Sequence, residues 1–423
     1  MVEPLPKGGL KENIVWLTAL QALNYLLPLA IVPYLIRVLG PSSYGILAFA
    51  VTFTQYLVFL ADYGFNLSAT REVAVQRENR ERLEEFVSGV FTIKAALLIV
   101  AAAILAIFLV AAPKYSTYFP ALVVAFLSVA GTVAFPVWLF QGLQDMRLIS
   151  ILSAAGKLIC TAAIFFTVHS SNDVLVAVLW TVAGYPIAGM LAWFVMFHRY
   201  KIRLHIPSIA TLKYALRSGF HIFISSMMIT TLTSGAVLMM GFLAPVSAVG
   251  IYAAIEKIAK AATMGFSPLT QALYPRTAEH FSEGHAVGRR FVVHSGIYLV
   301  TLAFLASVLL ASFAKWVIYL ICGPSYIQYD AVLRVLSVWV FFGATNNVLG
   351  IQYLLGSGRD RAYSVCFTIA AAGTVLLLFL LVPSYLYMGA AGAMTLGEAA
   401  LTLLMVVTIM MEKRKDQSQI SHI

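Results

Sequence analysis

Twelve stretches of this chain run for about twenty residues or more with few charged side chains in them: residues 14–39, 44–67, 86–112, 118–140, 149–168, 174–197, 220–243, 248–274, 291–313, 331–355, 362–382 and 388–411. A hydrocarbon layer about 30 Å thick needs about twenty apolar residues in helical form to cross it. Lipid offers no partner for a bare N–H or C=O, so each crossing must close its own backbone hydrogen bonds. Composition agrees: 61% of the residues are hydrophobic and 11% charged, against about 25% charged in an average soluble domain. The expected fold class is therefore an all-α polytopic membrane protein with twelve transmembrane helices. A soluble enzyme, a nucleic-acid-binding protein and a disulfide-stapled secreted domain are excluded, although a net charge of +10 might have suggested nucleic acid.

The charge has another origin. Twenty of the twenty-eight Lys and Arg residues fall in the N-tail, the loops after even-numbered spans and the C-tail, among them Lys7, Lys11, Arg71, Arg80, Arg147, Lys201, Arg203, Arg276, Arg361 and Lys413–Lys415. The alternate loops hold only Arg37, Lys114 and Lys315. Basic loops stay in the cytoplasm, so both termini are expected there, facing anionic headgroups. The opposite loops, such as 40–43, 113–117 and 170–173, are too short to fold as a domain. Cys160, Cys322 and Cys366 form no C-x-x-C pair and read as small buried hydrophobes.

A basic loop at 198–219 divides six spans from six. The expected layout is an N-terminal lobe 1–200, a cytoplasmic linker 201–219, a C-terminal lobe 220–411 and a tail 412–423. The halves repeat weakly but in register: Leu39-Gly40-Pro41 with Gly45 recurs as Leu243-Ala244-Pro245 with Gly250, and Arg71 maps onto Arg276. Gly142 and Arg147 likewise match Gly356 and Arg361. Units with an even number of spans share one orientation, which predicts two pseudo-symmetric lobes around a central cleft and alternating access by rocking.

Three motifs then stand out: Pro33-Tyr34-Leu35-Ile36-Arg37-Val38-Leu39-Gly40-Pro41 with Tyr44-Gly45; Asp62-Tyr63-Gly64-Phe65 through Thr70-Arg71-Glu72; and Phe135-Pro136 with Trp138-Leu139-Phe140-Gln141-Gly142. In these the chain resembles the O-antigen flippases (Wzx family) within the superfamily of multidrug, oligosaccharidyl-lipid and polysaccharide exporters. The resemblance implies a MATE-like fold and a flippase, not an enzyme, that moves an undecaprenyl-diphosphate-linked oligosaccharide across a bacterial inner membrane. It also implies work among membrane lipids and alongside other membrane proteins of polysaccharide assembly.

Such a cargo needs a cationic, hydrated path for its headgroup, and charges inside a membrane usually face one. The candidates for binding are Arg37, Lys94, Lys157, Lys257, Lys260 and Arg334; the carboxylates open to ion coupling are Asp62, Glu256 and Glu398. Each has a plainer reading. Glu256 and Lys260 are spaced i, i+4 and can pair with each other, Asp62 can cap a helix or pair with Arg71, and Arg37 can sit at the membrane interface. Lys257 points about 100° away from Glu256, so that helix neutralises it less easily. Lys94 and Lys157 lie about 14 Å inside their spans at 1.5 Å per residue, too deep for easy snorkelling. Pro28, Pro33, Gly265 and Pro268 suggest kinks. Tyr25, Trp138 and Trp193 can stack on sugars or anchor at the interface.

The histidines show no paired metal spacing, and no Walker A, H-E-x-x-H, G-x-S-x-G or dinucleotide motif occurs in a fitting context, so no metal or cofactor is expected. Two rival readings remain at this point. One is a cation-coupled drug antiporter of the same superfamily, against which the five intramembrane cations weigh. The other is a membrane-embedded polysaccharide polymerase, against which the short extracytoplasmic loops weigh.

Overall fold

The computed structural model describes residues 10–420. Side chains at 10–15, 17–19, 22, 25, 225 and 412–420 lie outside the described set, and so does the placement of Lys7, Lys11, Tyr25, Lys413, Arg414 and Lys415.

The described chain is helical almost throughout, with no strand among the described residues. Its helices are α1 (Leu10–Asp62), α2 (Phe65–Gln76), α3 (Arg80–Ala111), α4 (Phe119–Ala125), α5 (Leu127–Ala134), α6 (Val137–Gly142), α7 (Met146–Thr167), α8 (Val174–Val182), α9 (Gly184–His198), α10 (Ile209–Leu243), α11 (Val246–Met264), α12 (Ser267–Glu283), α13 (His285–Ser312), α14 (Ala314–Cys322), α15 (Asp330–Asn346), a π-helical stretch Asn347–Leu355, and α16 (Asp360–Ile420). Tight 3-10 turns at Pro113–Tyr118, Ser171–Asp173 and Pro324–Tyr329 occupy three of the short loops.

Nine helical stretches among the described residues are long and apolar enough to cross a membrane. Two of them, Leu26–Gln76 and Asp360–Met411, are 51 and 52 residues long and hold two crossings each. Their breaks fall at Gly40 (φ 69°) and Leu386 (φ 49°), where the backbone leaves helical geometry. The twelfth crossing is α11, set apart from the purely apolar stretches by Glu256, Lys257 and Lys260. The backbone of α1 keeps helical angles through Pro28 and Pro33, so the departure comes at Gly40. Between α11 and α12 the helix does stop, at Gly265 and Phe266.

Side chains are distributed as lipid requires. On α3, Ile99, Ile107 and Val110 are largely exposed while Leu83, Val87 and Lys94 are buried. In water this would place the greasy face outward; in a bilayer that face is solvated by acyl chains.

The chain divides into two compact units, Met1–Met227 and Met228–Ile423, with the boundary inside α10. The core of the first is built on Phe65, Val73, Phe86, Val90, Trp138, Phe140, Ala192 and Met196. Trp138, Leu139 and Phe140 are wholly buried. This corrects the sugar-stacking role considered for Trp138: its ring packs 5.7 Å from that of Phe91 inside the unit. Trp193 meets the same Phe91 edge-on at 5.2 Å. Gly142 ends the motif because α6 lies close on α2, where a Cβ would come within 2.5 Å of Val73 and 2.9 Å of the Thr70 carbonyl. The second unit is built on Val292, Leu299, Leu354, Ala370, Leu401 and Met405. There Gly356, the repeat partner of Gly142, closes the π-helical stretch against Thr277 of α12.

Candidate functional site

In the first unit, α1 ends at Asp62 because two residues follow in left-handed geometry, Tyr63 (φ 50°) and Gly64 (φ 76°). Glycine suits the second of these twice over: the backbone angle disfavours a side chain, and a Cβ would stand 2.9 Å from Ile222 and 3.0 Å from the Gly219 carbonyl. Tyr63 is held in the less favourable angle by stacking on Phe223, with ring centroids 5.1 Å apart. The break leaves the Asp62 carboxylate beside α3. Lys94 Nζ donates to Asp62 Oδ1 at 3.1 Å and reaches the Thr132 carbonyl at 3.4 Å. Lys94 has no exposed surface and Asp62 is 8% exposed. Asp62 thus pairs with Lys94, not with Arg71, which is exposed. A pair this buried is held by mutual attraction that offsets two desolvation costs, so removing one partner strands the other.

Lys157, on α7, donates to Asn24 Oδ1 of α1. The interaction ties two helices through a neutral partner and leaves the lysine's charge uncompensated by an acid. Nearer the basic loops, Arg147 lies over the Trp16 ring, 5.6 Å from its centroid. Arg37 is exposed, three residues before the Gly40 break.

In the second unit, α11 carries three charges, Glu256 and Lys260 on one face and Lys257 turned about 100° from Glu256. Lys260 Nζ lies 3.0 Å from Glu256 Oε2 and donates to Ser234 Oγ of α10 at 3.2 Å. Glu256 is 3% exposed and its other oxygen accepts a long contact from the Tyr252 hydroxyl. The i, i+4 pairing read from spacing is therefore formed. Lys257 is exposed, and no hydrogen bond or ion pair to it occurs among the described residues. It sits about 16 Å along the helix from Val246, deep within a membrane-crossing segment. Arg334 is placed differently: it lies in the second turn of α15, exposed, with its guanidinium 3.0 Å from Asp330 Oδ2.

Glu398, in the second part of α16, is 9% exposed. Asn346 Nδ2 donates to Glu398 Oε2 at 2.5 Å and to its backbone carbonyl at 2.9 Å. Thr402 Oγ1 donates to Asn346 Oδ1 at 2.7 Å, which fixes the amide's orientation. The carboxylate thus has an amide donor and no cationic partner among the described residues. Asn346 is the last residue before the π-helical stretch, an irregularity that often marks functional positions. One turn further, Gln352 donates to the Thr270 carbonyl and accepts from Thr277, both at 2.9 Å. Asn24, Ser234, Asn346, Gln352 and Thr402 escape a reading that tracks charge alone. A survey of uncharged polar residues inside the apolar runs would have found them, since each must find a partner when buried.

Known proteins bear on this arrangement. The model of the family described as "Polysaccharide biosynthesis protein" matches residues 10–281. A protein of Escherichia coli (strain K12) named "Putative O-antigen transporter" is 28% identical over 95% of this chain and 97% of its own. One of the same name from Shigella dysenteriae is 24% identical over 95% of this chain and all of its own. Among solved structures, the lipid II flippase MurJ in an inward closed conformation has a TM-score of 0.74 at 12% identity, covering 94% of this chain and 87% of its own. An inward-facing multidrug resistance MATE transporter of the MOP superfamily has a TM-score of 0.72 at 15% identity, covering 96% and 98%. At such identities these two likenesses establish the fold, that of the MOP transporters. With a family model matching well over half of its length, this multi-pass membrane protein belongs to the polysaccharide biosynthesis protein family.

Proposed function

We propose that the protein is a flippase for a polyprenyl-diphosphate-linked oligosaccharide, an O-antigen repeat unit, which it carries across the bacterial inner membrane by alternating access, with both termini cytoplasmic. The observation that carries this reading is the end-to-end relation to the two proteins named as O-antigen transporters, 95% of this chain in each case. Lys257 supports it on chemical grounds. An ammonium at that depth without an acid partner is costly unless something anionic visits it, and the diphosphate of such a cargo is anionic. Lys157, held only by a neutral amide, is a second contact of the same kind.

Energy for the cycle then has to come from an ion gradient or from consumption of the product, since no nucleotide motif is present. Of the three intramembrane carboxylates, Glu398 is the best placed to take up and release a cation, because Asp62 and Glu256 each already face a lysine. The test is complementation of a strain lacking its own O-antigen flippase. Restored surface polysaccharide supports the reading; an unrestored strain with well-inserted protein counts against it, and restored resistance to cationic drugs instead favours the antiporter.

A further inference from the structure

Residues 199–208 leave α9, link it to α10 and have no regular structure ahead of Ser208. They lie as a strap along one face of α3, gripped at one-turn intervals. Arg80 Nη2 donates to the carbonyls of Tyr200 and Lys201. Glu84 Oε1 accepts from the Arg203 N–H at 3.2 Å, and its other oxygen meets the His205 ring at 3.3 Å. Ser88 Oγ accepts from the His205 N–H at 2.9 Å. Pro207 and Thr211 then face Gly89, where a Cβ would stand 3.8 Å and 3.1 Å from their carbons. The strap's upper end is fixed separately: Tyr200 donates to Asp145 Oδ2 at 2.6 Å, and Arg199 pairs with the same oxygen at 3.2 Å. Burial first, then that bond, keeps the Tyr200 phenol neutral far above its usual range.

The direction of the strap matters. Its successive contacts, Arg80, Glu84, Ser88 and Gly89, descend α3 by about 13 Å at 1.5 Å per residue, and the apolar run of α3 begins at Phe86. Ile206, between His205 and Pro207, is thus about 3–5 Å inside the level where the hydrocarbon-facing part of α3 starts. Ile206 is 98% exposed and Ile209, the first residue of α10, 72%. Lys201 and Arg203 precede them along the strap and Lys213 and Arg217 follow on α10, all exposed, and their side chains form no ion pair with an acid among the described residues. The nearby acids have other partners: Glu84, buried, meets Arg80 and His205, Asp145, buried, meets Tyr200, and the half-buried Glu85 and Glu72 meet Thr211 and Tyr214. Glu78 and Glu81, both exposed, stand at or before the first turn of α3, away from Ile206 and Ile209. An apolar edge at interfacial depth with unpaired cations around it matches one surface, an anionic bilayer leaflet.

We propose that the strap 199–208 and the first turns of α10 form a membrane-surface anchor, with Ile206 and Ile209 entering the acyl–headgroup boundary and Lys201, Arg203, Lys213 and Arg217 holding anionic phospholipid headgroups. The proposal rests on the membrane-spanning fold and not on the cargo, so it stands or falls separately from the flippase reading.

The test uses Ile206→Cys and Ile209→Cys, each labelled with an environment-sensitive bimane probe. The native cysteines are all buried, and the labelled parent protein supplies the background. The full chain is placed in nanodiscs of phosphatidylcholine, with or without phosphatidylglycerol. Glu81→Cys serves as the water-exposed control. The expected result is a blue-shifted emission quenched by nitroxide-labelled acyl chains and shielded from aqueous iodide. The effect should be stronger with phosphatidylglycerol, by about fivefold in the docking equilibrium per basic side chain. Lys201→Gln with Arg203→Gln should weaken that dependence on anionic lipid by about 25-fold, leaving the share of Lys213 and Arg217. Iodide quenching equal to that at the control position overturns the proposal, as does protection from both quenchers, which would mean protein covers the strap. An equal response in the two lipid mixtures overturns the assignment to anionic headgroups.

Discussion

Lys260 Nζ lies 3.0 Å from Glu256 Oε2, one turn along α11, while Lys257 between them forms no hydrogen bond or ion pair among the described residues. Two lysines three residues apart thus do different work. Lys260 neutralises a buried carboxylate and fastens α11 to α10 through Ser234; Lys257 is the residue that the proposed function assigns to the cargo's diphosphate.

The two should separate on substitution. Lys257→Gln should leave expression and thermal stability near wild type yet slow transport by about 10- to 100-fold, the worth of one charge-assisted hydrogen bond of about 1.5–3 kcal/mol. Lys260→Gln should instead destabilise the second unit by about 2 kcal/mol, since Glu256 would be left buried without its cation. Surface polysaccharide output and thermal unfolding in detergent, measured side by side, check both.

Asp62 and Lys94 make the corresponding case in the first unit. Asp62→Asn or Lys94→Met alone should each cost about 3 kcal/mol by leaving one charge buried and unpaired. The double variant should recover most of that loss. A double variant as unstable as the worse single one would show that the pair is not the stabilising unit.

For Glu398, replacement by Gln keeps the shape and a hydrogen bond to Asn346 while removing the titratable group. The variant should insert and unfold like wild type, and any response of transport to an imposed pH or sodium gradient should vanish. Glu256→Gln should lose stability and keep the gradient response. The opposite pattern would assign the coupling role to Glu256 instead.

Much of this was open to a reader of the sequence. Lipid imposes one secondary structure and a minimum length on each crossing, so the twelve spans could be counted from apolar runs, and breaks such as Gly40-Pro41 and Gly265 could be placed from residue type. The Glu256–Lys260 pair was legible because i, i+4 spacing is local. The Asp62–Lys94 pair was not, since thirty-two residues separate its members and only packing brings α1 and α3 together. Trp138 misled for a related reason: an indole in a membrane protein is as fit for a core as for a sugar, and its surroundings decide. The dip of the strap along α3 was also hidden, because its contacts use backbone N–H and C=O groups that every sequence has.

Trp138 and Gly142 belong to one of the three motifs that carry the family resemblance, and both serve packing. Trp138→Ala should cost about 3–5 kcal/mol through the cavity it leaves. Gly142→Ala should cost about 1–3 kcal/mol by forcing α6 away from Val73 and Thr70. Both should lower the yield of folded protein, while the molecules that do fold keep the wild-type preference among cargos. A shift in preference at unchanged yield would place the motif at the binding surface after all.

The central claim is tested most directly in proteoliposomes containing a fluorescent polyprenyl-diphosphate oligosaccharide, by following how fast cargo in the inner leaflet becomes accessible to a membrane-impermeant quencher. The account predicts that wild-type protein makes the inner-leaflet pool accessible and that Lys257→Gln, equally well inserted, does so at least about tenfold more slowly. Wild-type vesicles no different from protein-free liposomes, under every imposed ion gradient, would contradict it.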